Sequence, residues 1–248
     1  MLKLPKNRPL IVARRGARAH APENTLAAFE LAIEQGADAI EMDVQFTSDG
    51  ELITMQGLDV DEISDGTGRI RSFQLAEIKE LDVGGWFDPA FAGTRVPTLN
   101  EVLDTLAGRV KLVLELKTFS RKSEGMEDEV WEQIQQRGLV DDVTVTSFNL
   151  FALRRLKKMA PGLRTGLMQG TGLAPWFSGG LARSWSRAND WHPEFEYATD
   201  DLIAKVQQPT WLWPVNTSEE LAQALAWQVE AIITDDPGWL WTELAIRT

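Results

Sequence analysis

The stretch LIVARRGARAHAPENTLAAFELAIEQGADAIEMDVQFTSDG, from Leu10 to Gly50, limits what this chain can fold into more than any other part of it. The apolar run Leu10-Ile11-Val12-Ala13 predicts a buried strand that breaks at Arg14-Arg15-Gly16. Asn24 or Thr25 can cap a helix in which Leu26, Phe29 and Ile33 recur at helical spacing, and Gly36 stops it. A second strand, Ala39 to Val44, carries Glu41 and Asp43 two residues apart, so strand periodicity puts both carboxylates on one face. Together these make one β-α-β unit, whose strand ends are where side chains can gather. A carboxylate pair inside a strand needs cations, and Arg14 and Arg15 end the neighbouring one.

The same alternation continues down the chain. Strands are expected at Glu51 to Met55, Lys111 to Lys117, Asp142 to Phe148, Arg164 to Met168, Asp190 to Phe195, Trp211 to Asn216 and Ala231 to Asp235. Between them, helices are expected at about Leu75 to Leu81, Glu101 to Leu106, Gly125 to Arg137, Leu150 to Met159, Asp200 to Val206 and Ser218 to Trp227. Thr171 to Ala188 carries little secondary-structure signal. About eight alternations in 248 residues fit a parallel (β/α)8 TIM barrel better than an open doubly wound sheet. Turn-rich sequence around one helix marks an insertion at about 57–94, within a single domain spanning 1–248.

In a closed barrel the strand C-termini converge on one rim, which would bring Arg14, Arg15, Glu41, Asp43, Glu115, Lys117 and Asn216 together. Carboxylates and cations in one mouth offer a hard-cation site, Mg²⁺ or Ca²⁺, beside a phosphate clamp. The plainer reading of the same residues is an ion-pair network, Glu41 with Arg15 and Glu115 with Lys117. A net charge of −12 excludes a general nucleic-acid or anionic-membrane binder, so an anionic ligand would have to be drawn in by a local basic cluster. The absence of cysteine removes disulfides, thiolate metal sites and cysteine nucleophiles. No stretch has the length of a membrane span, and the apolar run after the basic N-terminal residues is too short for a signal segment, so a cytoplasmic protein of open oligomeric state is expected.

Arg15-Gly16-Ala17, Pro22-Glu23-Asn24-Thr25, Glu41-Met42-Asp43-Val44 and Thr47-Ser48-Asp49-Gly50 resemble, in order and spacing, the opening signature of the glycerophosphodiester phosphodiesterase family. Later blocks are similar to it too: Asp65-Gly-Thr-Gly68, Gly85-Trp86-Phe87, Val96-Pro-Thr-Leu99, Glu115-Leu-Lys117, Ser147-Phe148, Val215-Asn216-Thr217 and Ile233-Thr-Asp235-x-Pro237. The resemblance implies metal-assisted hydrolysis of glycerophosphodiesters to glycerol 3-phosphate and an alcohol, in lipid metabolism. It also implies that Glu41, Asp43 and Glu115 hold the divalent metal while Arg15 and Lys117 hold phosphate.

The family's two acid-base histidines are replaced here, the first by Arg14 and the second, with its Asp, by Gln56-Gly57. Arg keeps its proton near neutral pH and Gln does not titrate, so neither can shuttle a proton. Three outcomes are therefore weighed: a phosphoester-binding relative with weak or lost hydrolysis, an active hydrolase with a relocated acid or base, and an interaction protein with no ligand. His20 and His192 are the only candidates for relocation, against the plainer roles of surface or packing side chains. Trp176, Phe177, Trp185 and Trp191 could grip a lipid chain or choline-like cation, or merely pack a loop. Trp211 is expected in the core and Trp213 there or at the mouth, while Asp59, Asp61, Asp235 and Asp236 are expected as solvated turn residues.

Overall fold

The computed structural model describes residues 8–173 and 179–247. Its elements in chain order are β1 (Leu10–Arg14), α1 (Leu26–Glu34), β2 (Ala39–Phe46), β3 (Leu52–Thr54), α2 (Leu75–Ile78), α3 (Leu99–Leu106), β4 (Lys111–Leu116) and α4 (Met126–Gln136). There follow β5 (Val143–Ser147), α5 (Leu150–Met159), β6 (Arg164–Gln169), α6 (Gly179–Ser186), β7 (Asp190–Pro193), α7 (Asp200–Ile203), β8 (Trp211–Leu212), α8 (Ser218–Ala226), β9 (Ala231–Thr234) and α9 (Pro237–Ile246).

Every strand except β3 lies in one parallel ring, in the order β7-β6-β5-β4-β2-β1-β9-β8. Single parallel bridges, Trp191 to Thr210 and Glu194 to Trp213, join β7 to the β8 segment and close the circle. The result is a (β/α)8 barrel. The expected strand before Gln56 is not one of its staves: β3 turns back at Gly50 and pairs antiparallel with β2, Val44 opposite Thr54. This hairpin carries Gln56 back toward the rim.

Strand periodicity divides the core in two. Facing inward are Val12, Ala39, Val113, Met168, Trp211, Trp213, Ala231 and Ile233. Facing outward, Ile40, Met42, Leu112, Leu114 and Val145 pack against α1, α3 and α4 through Phe29, Leu103, Leu106, Val130 and Ile134. The segment between β3 and α3 has an apolar cluster of its own, in which Val60, Ile70, Ile78 and Val83 pack on Ile53 and Met55.

The secondary-structure expectations need correction in places. Thr171 to Ala188 contains α6, and the chain ends in a further helix, α9, capped by Asp236 and started by Pro237. The strand expected over Trp211 to Asn216 is two residues long, and α2 and α7 are single turns. Of the roles weighed for His192, the structure shows the plainer one, a packing residue of the barrel interior. Its ring is fully buried, stacks 4.8 Å from Trp211, and occupies the space a Cβ on Gly166 would need.

Candidate functional site

The first βα turn is built to present Arg15. Arg15 and Asn24 both take left-handed backbone conformations, φ 55° and 58°, at a cost that only surrounding contacts can hold. Gly16 follows at φ 83°, where a side chain would run into the backbone of Ala28. The amide of Arg15 donates to Glu41 Oε2 at 3.0 Å. The side chain of Asn24 bridges to β2, its Nδ2 donating to Asp43 Oδ2 at 2.9 Å and its Oδ1 accepting from the Asp43 amide at 3.0 Å. Thr25, rather than Asn24, caps α1.

Around this turn the expected residues converge. One carboxylate oxygen from each of Glu41, Asp43 and Glu115 lies within 4.8 Å of the other two, all three side chains being buried. Lys117 Nζ stands 2.7 Å from Asp43 Oδ1 and 2.6 Å from Glu115 Oε1, while Arg15 Nε is 2.9 Å from Asp43 Oδ2 and its Nη1 3.1 Å from Glu23 Oε1. The expected Glu41–Arg15 ion pair is therefore corrected: the guanidinium goes to Glu23 and Asp43, and among the described residues Glu41 receives the backbone amide of Arg15 alone.

These charges shift one another. Burial, reinforced by Asp43 and Glu115, pushes the Glu41 carboxyl up to about 8. Burial also raises Glu115, against the opposing pull of Lys117. Burial would raise Asp43 as well, but Lys117 and Arg15 outweigh it and hold the carboxyl down at about 2. Burial disfavours the charged forms of Lys117 and Arg15, yet their acidic neighbours raise both, so each stays cationic. Three carboxyl groups against two cations leave one surplus negative charge, which a proton or a metal can neutralise.

A cavity of about 180 Å³ opens beside this cluster, lined by Arg14, Arg15, Glu41, Gln56, Glu115, Lys117, Phe148, Met168, Trp213 and Ile233. One wall is thus charged and the other apolar. Arg14 points in from the end of β1, its Nη1 3.5 Å from Asp235 Oδ1 and its guanidinium 5.8 Å from the Trp213 ring. Gln56 Oε1 is buried at the cavity with no hydrogen-bond partner among the described residues. A polar atom in that state is one a ligand can satisfy. The donor set fits a divalent cation: three buried oxygen ligands, two of them raised by burial and further by their acidic neighbours.

Neither histidine lines the cavity. His20 is half exposed and its Nε2 is 2.8 Å from Asp236 Oδ2, while burial drives His192 down to about 3. Asn216 lies beside the mouth and ties to Asp235 at 2.9 Å. Asp235 and Asp236 are not simply solvated: the first pairs with Arg14 and Arg18, the second caps α9. Asp59 and Asp61 do sit in turns of the insertion, Asp61 accepting the amide of Gly68. Trp191 is wholly buried and donates to Gln169, Trp185 stacks under Arg154, and Trp176 and Phe177 fall outside the described residues. Sequence reasoning missed Glu23, Phe148 and Met168. Glu23 and Phe148 carried a signal, through the Pro-Glu-Asn-Thr and Ser147-Phe148 blocks, and Met168 carried none.

Comparison with known proteins agrees with this geometry. The profile of the glycerophosphoryl diester phosphodiesterase family matches residues 15–239. A glycerophosphodiester phosphodiesterase of Caldanaerobacter subterraneus subsp. tengcongensis is 37% identical over 92% of this chain and 94% of its own length. The crystal structure of a glycerophosphodiester phosphodiesterase from Agrobacterium tumefaciens superposes with a TM-score of 0.79 at 30% identity, covering 96% of this chain and all of the other. A phosphodiesterase of Oleispira antarctica, solved in complex with the product sn-glycerol-3-phosphate, superposes with a TM-score of 0.85 at 26% identity over 97% of each chain. This chain belongs to the glycerophosphoryl diester phosphodiesterase family.

Proposed function

We propose that this protein is a single-domain, cytoplasmic member of its family that binds glycerophosphodiesters of lipid turnover and hydrolyses them weakly or not at all. The observation that carries this is the cavity lining, in which Arg14 and Gln56 occupy the family's acid-base positions and no imidazole is present. Glu41, Asp43 and Glu115 would hold Mg²⁺ or Ca²⁺. When bound, that ion supplies charge neutralisation for the phosphoryl oxygens. Arg15 and Lys117 hold the phosphate from the protein side, as expected of cations fixed at one rim. Complex formation with sn-glycerol-3-phosphate by the Oleispira phosphodiesterase supports a pocket of this chemistry.

Proton transfer is the missing part. Arg14 adds positive charge to the pocket, which strengthens the hold on a phosphodiester without moving its protons. Losing a positioned acid or base typically costs about 10² to 10⁴ in rate. His20 does not restore it, because its ring nitrogen is tied to Asp236 outside the cavity lining.

The test pairs two measurements. Calorimetry with Mg²⁺ or Ca²⁺ and glycerol 3-phosphate should show binding by the native chain. Hydrolysis of glycerophosphocholine should rise at least about 100-fold in the Arg14→His, Gln56→His double variant. Native turnover already equal to that of the double variant would refute the loss of catalysis. A pH-rate limb near pH ~6 to 7 that disappears in His20→Ala would instead establish the relocated-base alternative.

A further inference from the structure

A second cavity, of about 270 Å³, lies beside the first and is lined by Gln45, Leu58, Arg69, Arg71, Lys117, Phe119 and Glu124. Lys117 is a wall of both cavities. Its ammonium is already committed to Asp43 and Glu115 on the carboxylate side. A phosphodiester held at Lys117 has two ester arms. The first cavity is small and half apolar, which suits one glycerol arm, and the other arm must leave past Lys117.

We infer that the second cavity is the subsite for the alcohol arm and that it selects alcohols bearing a second anionic group, such as a phosphate, over cationic ones such as choline. This rests on the phosphate-binding reading above. Leaving aside Lys117, whose ammonium is already paired, Arg69 and Arg71 oppose a single acid in the lining, Glu124, in a chain whose overall charge is strongly negative. Arg69 is loosely held, its Nε 3.8 Å from Asp59 Oδ1, and three-quarters exposed. Arg71 donates to Glu124 Oε2 at 2.9 Å, so its remaining N–H groups are oriented without being used up. Two guanidinium groups a single residue apart on each side of Ile70 match the planar, bidentate recognition of phosphate. A trimethylammonium group would instead look for an aromatic cage. The one aromatic in the lining, Phe119, is exposed and has no ring partner among the described residues.

The same phosphate chemistry could reach the site as a free anion or as part of a diester, and the titrants separate these. Calorimetry in saturating Ca²⁺ would compare glycerol 3-phosphate, inorganic phosphate, glycerophosphocholine and glycerophosphoinositol 4-phosphate, with phosphorus NMR confirming that each diester stays intact. The inositol phosphate diester is expected to bind about tenfold more tightly than glycerophosphocholine, a difference typical of two partly screened charge contacts. In the Arg69→Ala, Arg71→Ala double variant that preference should fall to about twofold or less, with glycerol 3-phosphate affinity unchanged. Glycerol 3-phosphate binding with no preference between the diesters, or a preference that survives both substitutions, overturns the subsite alone. Failure of glycerol 3-phosphate to bind overturns the phosphate reading and the subsite with it. Inorganic phosphate matching the inositol phosphate diester would show a free-anion site and overturn the assignment to the alcohol arm.

Discussion

Replacing Lys117 by Met removes the one ammonium that bridges two buried carboxylates. Asp43 is fully buried and keeps Arg15 Nε and Asn24 Nδ2, each at 2.9 Å, so it stays compensated. Glu115 is different, because Lys117 is its ion-pair partner at 2.6 Å and its side chain is only 6% exposed. The damage therefore falls on one buried carboxyl. Breaking such a pair from one side costs about 3–5 kcal/mol, and the surviving hold on Asp43 argues for the lower end, about 3 kcal/mol. For a chain of this length each kcal/mol moves the melting temperature by about 2–4 °C, giving a fall of about 6–12 °C. Thermal melts in chelator would measure it. Saturating Mg²⁺ or Ca²⁺ should recover more stability in the variant than in the native chain, since the ion neutralises the carboxylates that Lys117 has abandoned. A variant melting within 2 °C of the native protein in chelator, on the ~6 °C minimum expected here, would refute the idea that Lys117 compensates buried charge.

Other expectations follow from the same geometry. Glu41 sits at about 8 against an ordinary 4.5, so the stability it contributes is complete below about 4.5 and is lost as pH rises through about 8. Asp43, held at about 2, acts only in acid and leaves that window untouched. His192, held down at about 3 by burial, adds stability as pH rises toward 6.5, so the two opposing slopes overlap below that point. In chelator the melting temperature should thus decline between pH 6.5 and 8, and saturating Ca²⁺ should flatten the decline; a level profile over that window without metal would count against a strained carboxyl. Gly166→Ala places a Cβ 2.3 Å from His192 Nε2 inside the barrel, and such overpacking costs about 1–3 kcal/mol. Urea titration should show that loss and its partial recovery in Gly166→Ala, His192→Ala, whereas equal loss in both variants would place the strain elsewhere.

Much of the site was legible in the sequence because strand periodicity alone puts Glu41 with Asp43 and Glu115 with Lys117 on shared faces, and a barrel aligns those faces at one rim. The barrel itself followed from alternation. Pairing within the cluster was not legible: Arg15 turns to Glu23 and Asp43 because of a left-handed backbone that no periodicity encodes. α6 escaped notice because it opens on Gly179-Gly180, and β8 looked longer because Trp213, beyond its end, still bridges to Glu194. His192 was ambiguous for a simpler reason. A polar residue on a barrel strand reads alike whether it lines a mouth or fills the interior, and only Gly166 opposite, with its missing side chain, decides between them.

The contact network around Asp235 bears on how such a site changes over generations. Its carboxylate is shared by Arg14, Arg18 at 3.3 Å and Asn216 at 2.9 Å. Position 14 can consequently exchange one side chain for another while Arg18 and Asn216 keep the rim stitched together. Side-chain identity at that position and integrity of the rim are thus separable, and a change of chemistry at Arg14 leaves Asp235 held by its other two partners.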